Sequence, residues 1–376
     1  MNASVKLGHI WGIPIGLHSS WFVIFGLVTW SLAAGYFPTE YPNLPRPTYW
    51  LLGALTSLLF FGSVLLHELG HTWVALRNQI PVRGITLFLF GGIAQIAREP
   101  QTPGVEFRIA IAGPLTSLGL ALVFAGLWLL DQRILVLAAP SIWLARINLI
   151  MALFNMIPGF PLDGGRVLRA LVWKISGSFH RASQIAALTG QVAAFGFIGM
   201  GLFTILGGNF FNGLWFVFIG WFLQNAAAAS YVQANLQQSL RDVTVAQVMV
   251  RDCPKVSGQT ALGQLVEEQV LTGARRCFFV AENGRLRGVL TLRDIAAVPR
   301  ENWNRVAAKD AMVPWEHLVR VYPSTKLLTA LQTMDDADVA QVPVVEENQL
   351  EGNQIVGMLS REQVLHYIRV RAEIGI

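Results

Sequence analysis

Residues 67–71 read His-Glu-Leu-Gly-His. Side chains at i and i+4 share one face of a helix, so both imidazoles can reach one Zn²⁺ at about 2.1 Å, with Glu68 beside the water that such a metal binds. Two neutral nitrogen donors and an adjacent carboxylate suit hydrolytic metal chemistry. A catalytic zinc needs a third protein ligand and one open position. The candidate is Asp163, in the run Asn155-Met-Ile-Pro158-Gly-Phe-Pro161-Leu-Asp163-Gly-Gly-Arg166. Its prolines and glycines end a helix within a few residues, and such a break can swing a carboxylate back toward the interior.

Both motifs must be held by apolar elements. The 376 residues are 53% hydrophobic and 14% charged, against about 25% charged in soluble domains. Residues 1–235 hold 12 basic and 6 acidic side chains, and residues 236–376 hold 16 and 17. The first part is therefore expected to be a multi-pass α-helical membrane protein of about six spans, near 13–35, 50–76, 109–130, 139–157, 185–206 and 211–232. Glu68 lies about 13 Å along its helix from Arg77, and Arg146 about 14 Å from Asn155, which sets the two motifs at comparable depth. Ionisable groups so far from water mark a functional site.

Basic residues follow span two (Arg77, Arg83, Arg98, Arg108) and span four (Arg166, Arg169, Lys174, Arg181), whereas the opposite connections carry only Arg46 and Arg133. The positive-inside rule then sets both termini in the cytoplasm of a cell-membrane protein. Because the basic excess lies in the apolar part, the high pI reports orientation and gives no support to a nucleic-acid partner. Residues 82–96 read as a short β-hairpin about Gly91-Gly92, whose open edge must line a protein or water cavity. His18 reads as an interfacial polar residue outside the site.

From about residue 241 the pattern becomes βαβ-like, and a unit of about 65 residues recurs at 309–370. The two cysteines, Cys253 and Cys277, make no disulfide framework and suggest a reducing compartment.

The pairing of His67-Glu-Leu-Gly-His71 with Asn155…Pro158…Pro161-Leu-Asp163-Gly-Gly resembles the site-2 protease family of intramembrane zinc metalloproteases. The repeat resembles a tandem pair of CBS domains, carried at the C-terminus by one branch of that family. The resemblance implies a six-span protease domain over 1–235 and soluble α/β CBS repeats over 241–300 and 308–372. It implies zinc on His67, His71 and Asp163, Glu68 as general base, and Asn155 against the substrate or the developing oxyanion. Ala112-Gly113-Pro114 also fits the family pattern, with Ser117 where many relatives have Asn. Implied substrates are transmembrane segments of membrane-anchored regulatory proteins, cut near the cytoplasmic face. We expect an unwound segment to add a strand to the hairpin edge.

CBS pairs commonly bind adenine nucleotides and pair as homodimers. Their signature fits Gly288-Val-Leu-Thr291-Leu-Arg-Asp294, which nominates Thr291 and Asp294. The second copy has Gln363 where Asp is expected. The alternative is a CBS-gated transporter or channel, with His67, Glu68 and His71 on an ion pathway. That alternative makes no demand on Asp163.

Overall fold

A computed structural model describes residues 4–89, 91–130, 134–251, 253–273, 275–282, 285–348 and 352–374. The chain divides into two compact units, Met1–Asn235 and Leu236–Ile376.

The first unit opens with strands β1 (Val5–Ile10) and β2 (Ile13–Leu17), joined by Trp11 and Gly12, both at positive φ. Helix α1 (Ser19–Glu40) and helix α2 (Arg46–Arg77) follow. Next come β3 (Val82–Phe88) and β4 (Gly91–Ile96). The helices α3 (Pro103–Leu130), α4 (Leu135–Asn155), α5 (Asp163–Ser176), α6 (Phe179–Leu206) and α7 (Phe210–Leu240) complete the series.

Among the described residues, α1, α2, α3, α4 and α6 are long and apolar enough to cross a membrane. The sixth expected span, 211–232, is helical within α7 but is not one of these five. Asn212, Gln224 and Asn225 dilute its apolar character. The first span starts later than expected, because 13–17 is extended and the helix begins at Ser19. His18 caps that helix: its ring nitrogen accepts the Ser20 N–H at 3.2 Å, satisfying one of the amides that a helix start leaves unpaired.

The expected 82–96 hairpin is present, but within a larger sheet of order β1-β2-β3-β4. β2 pairs with β3 in parallel, Ile15 opposite Ile85, and β3 with β4 antiparallel, Ile85 opposite Ala94. Gly91 and Gly92 begin β4 rather than forming the turn. The buried face of the sheet, Ile13, Val82 and Ile85, packs with Leu69 and Ala75 of α2 and Ile109 of α3. Edge strand β4 is thereby fixed beside the helix that carries the His-Glu motif.

α4 ends at Asn155, as two prolines require, and α5 starts at Asp163. Gly164 and Gly165 let α5 pack onto the intervening turn: a Cβ at either would lie within 2.4 Å of the backbone of Met156 or Gly159.

In the second unit, β5 (Lys255–Ser257), β6 (Cys277–Glu282), β7 (Arg285–Thr291) and β8 (Val313–Pro314) form one sheet in that order. Strands β9 (Gln341–Asn348) and β10 (Gly352–Ser360) form a two-stranded sheet. Each repeat has its own core, one about Leu262, Phe278 and Leu290, the other about Leu327, Met334, Val344 and Leu359. Thr244 caps a short helix, Val245–Val248, near the start of the first repeat.

Cys253 and Cys277 are disulfide-bonded, with Cα atoms 5.8 Å apart. This corrects the reading of two separate thiols. β5 and β6 pair in parallel with Lys255 opposite Phe279, and extending that register by two residues sets Cys253 opposite Cys277.

Candidate metal centre

His67 and His71 lie one turn apart on α2, 5% and 4% exposed. Asp163, at the first turn of α5, brings Oδ2 to 3.1 Å from Nε2 of each. The two Nε2 atoms are 3.3 Å apart. Residues 96 positions apart in sequence thus converge at one point, and their ligand atoms form the one cluster of metal-binding type among the described residues.

The chemistry of the donors calls for a cation between them. The carbonyl oxygen of Ile109, 2.7 Å from His71 Nδ1, can only accept, so Nδ1 carries the proton and Nε2 presents a lone pair. His67 Nδ1 lies 2.8 Å from Ser117 Oγ, which can accept in the same way. Two lone pairs and a carboxylate oxygen that face each other repel without a positive charge among them. Tetrahedral ligands at about 2.0–2.1 Å from zinc stand roughly 3.3–3.4 Å apart. The observed separations of 3.1, 3.1 and 3.3 Å fit that geometry.

Helix α3 keeps the space open. A Cβ on Gly113 would stand 2.2 Å from His71 Nε2 and 2.6 Å from His67 Nε2. Only a residue without a side chain fits there. Among the described residues three protein donors are found, which leaves the fourth tetrahedral position to water or substrate.

Glu68 points toward β4. A Cβ on Gly92 would fall 2.5 Å from Glu68 Cγ and 3.1 Å from its Cδ. Asn155 closes α4 and donates its side-chain amide to Met151 O at 3.1 Å. Among the described residues no hydrogen bond joins it to the His67–His71–Asp163 cluster.

Sequence reasoning did not assign the supporting contacts. Ser117, left without a role, holds His67; the Ile109 carbonyl holds His71. Neither has a motif, since each depends on how α3 registers against α2.

In the second unit, Thr291 and Asp294 cap the helix Leu292–Ala297, and Thr291 donates from Oγ1 to Asp294 Oδ2 at 2.7 Å. A cleft of about 540 Å³ is lined by residues of both repeats, among them Arg276 and Cys277 of the first and Ser360, Gln363 and His366 of the second. Neither Thr291 nor Asp294 lines it.

Fold and site together describe apolar, span-length helices built round a buried set of metal donors. The model of peptidase family M50 matches residues 55–133 and 132–198, and that of the CBS domain matches 245–301 and 308–370. A protein of Synechocystis sp. is 35% identical over 99% of this chain and 97% of its own length. Rip3 of Mycobacterium tuberculosis is 33% identical over 98% and 94%. Both are named as candidate zinc metalloproteases. A solved site-2 protease from Methanocaldococcus jannaschii is 29% identical over 60% of this chain and 94% of that one, with a TM-score of 0.42. The chain belongs to peptidase family M50, the site-2 proteases, in the branch with a C-terminal CBS pair. It is thus a zinc metalloprotease, which sets aside the transporter alternative.

Proposed function

We propose that the unit over 1–235 cuts transmembrane segments of membrane-anchored regulatory proteins near the cytoplasmic face, and that CBS repeats over 241–300 and 308–372 modulate it. The convergence of His67, His71 and Asp163 beside Glu68 supports this most. These three would hold the zinc. When bound, zinc supplies a Lewis acid and lowers the pKa of water toward 7. Glu68 takes the proton of the attacking water and returns it to the leaving amine. Asn155 donates its amide to the carbonyl oxygen as negative charge develops there. Cleavage of a transmembrane peptide in detergent, abolished by chelator and restored by zinc, tests this reading; cleavage that survives chelation refutes it.

The substrate's peptide bonds are satisfied within its own helix, so a segment must unwind before it is cut. β4 is the sheet edge nearest Glu68, and its backbone can pair with the extended segment. Replacing each residue of 88–95 in turn by proline removes one amide donor. Cleavage is expected to fall at least about tenfold at the positions that pair, on the scale of one or two lost hydrogen bonds. A scan that leaves cleavage unchanged removes edge pairing.

Orientation follows from the basic connections after α2 and α4: with α7 as the sixth crossing, both termini face the cytoplasm of a cell-membrane protein. For the CBS pair we propose an adenine nucleotide at Thr291 and Asp294 and a homodimer formed through the repeats. Titration of AMP or ATP into the full chain is expected to release heat, and Asp294→Ala to remove it. No heat with the wild-type chain sinks the nucleotide, and a particle mass of one 41.4 kDa chain sinks the dimer.

A further inference from the structure

Glu106, near the start of α3, has a fully buried side chain. Arg169 of α5, 11% exposed, donates from Nε to Glu106 Oε1 at 2.6 Å and from Nη2 to the same oxygen. The guanidinium lies over Phe160, 5.0 Å from its ring centre, and over Phe179 at 4.6 Å. Phe160 belongs to the turn that leads into Asp163, and Phe179 opens α6. Arg169 therefore joins the start of α3, the helix of Asp163, the turn before that helix and the helix after it.

The other end of this contact reaches the histidines. Glu106, Ile109, Gly113 and Ser117 are spaced three, four and four residues apart, and so occupy one face of α3. Ile109 holds His71, Ser117 holds His67, and Gly113 leaves the space between them. One helical face thus fixes both imidazoles directly, and fixes the helix of the carboxylate through Glu106 and Arg169.

Stability gives this pair little reason to exist. Two charges taken out of water repay their desolvation only when every lone pair is satisfied, and apolar replacements are often neutral or better. Here Glu106 Oε2 is buried with no hydrogen-bond partner. A single carboxylate oxygen gripped by two guanidinium nitrogens, in turn clamped between two rings, fixes direction better than it lowers energy.

We propose that Glu106 and Arg169 are positioning residues, which set α5 against α3 so that Asp163 meets both imidazoles at once. The proposal rests on reading His67, His71 and Asp163 as the zinc site. In outer contacts of metal ligands, removal commonly costs about 10–100-fold in metal affinity.

The test uses the full chain in detergent. Glu106→Gln/Arg169→Gln removes both charges together, leaving neither buried and unpaired. Zinc affinity is measured by competition with a chromophoric chelator, and thermal unfolding is followed on the metal-free protein. The double variant is expected to unfold near the wild-type midpoint while its zinc Kd rises about 10–100-fold. A wild-type zinc Kd in the double variant overturns the proposal. Arg169→Lys, which keeps the charge but loses the planar fork, covers the case of a double variant that does not fold. Its zinc Kd is expected to rise, and its cobalt-substituted form to show shifted visible bands; wild-type values for both overturn the proposal. Failure of the wild-type chain itself to bind zinc would instead refute the zinc site on which the proposal rests.

Discussion

Glu68→Gln is expected to retain about one zinc per chain and to lower cleavage by about 10²–10⁴-fold, the usual contribution of a positioned general base. The substitution keeps the size of the side chain. What it loses is the capacity to take a proton. Glu68 is not in the donor cluster, where His67, His71 and Asp163 meet, so zinc content should not follow activity down. Zinc measured by mass spectrometry beside cleavage of a transmembrane peptide separates the two. If zinc and cleavage are lost together, Glu68 holds the metal or the fold; if cleavage persists, another group moves the proton.

The second result concerns a residue with no side chain. Gly113→Ala is expected to reduce bound zinc to below about a tenth of a site and to abolish cleavage, because the added Cβ fills the space that the ligands enclose. It would lie 2.2 Å from His71 Nε2 and 2.6 Å from His71 Cε1. The imidazole cannot retreat without breaking its bond to Ile109 O, 2.7 Å from Nδ1. Gly119, six residues further along α3, has nothing within 4 Å of its would-be Cβ. Gly119→Ala is expected to leave zinc and activity unchanged and to stabilise the helix by roughly 0.5–1 kcal/mol. The contrast separates loss of the metal space from a general intolerance of alanine in α3. Circular dichroism should show native helix content in both, and a Gly113→Ala protein that binds zinc normally would contradict the assignment.

These two residues differ in how visible they were beforehand. Glu68 sits between histidines at helical spacing, a pattern that geometry alone makes meaningful. Asp163 was reachable too, since Pro158 and Pro161 force a break at the depth that Arg77 and Arg146 set for the two motifs. Gly113 was marked only by its neighbours Ala112 and Pro114 in a family pattern, because an empty volume leaves no chemical signature in sequence. Ser117, the Ile109 carbonyl and the Glu106–Arg169 contact lay further out of reach. Each becomes functional through the register of α3 against α2 or α5, which no local spacing encodes.

The strand at 13–17 departs from expectation for a related reason. Ile13-Pro-Ile-Gly-Leu17 is apolar and runs on into a helix, so it reads as the start of a span. Its pairing partner in parallel, Ile85 opposite Ile15, lies 70 positions away. Cys253 and Cys277 were likewise read apart, although the parallel register of β5 and β6 brings them together.

Zinc-edge X-ray absorption on the purified full chain addresses the metal centre itself. Two imidazole nitrogens and at least one carboxylate oxygen are predicted at about 2.0–2.2 Å, with no sulfur at about 2.3 Å. In His67→Ala that signal should be lost. Sulfur in the coordination sphere, or a wild-type chain that holds no zinc when zinc is supplied, would contradict a metal centre built from His67, His71 and Asp163.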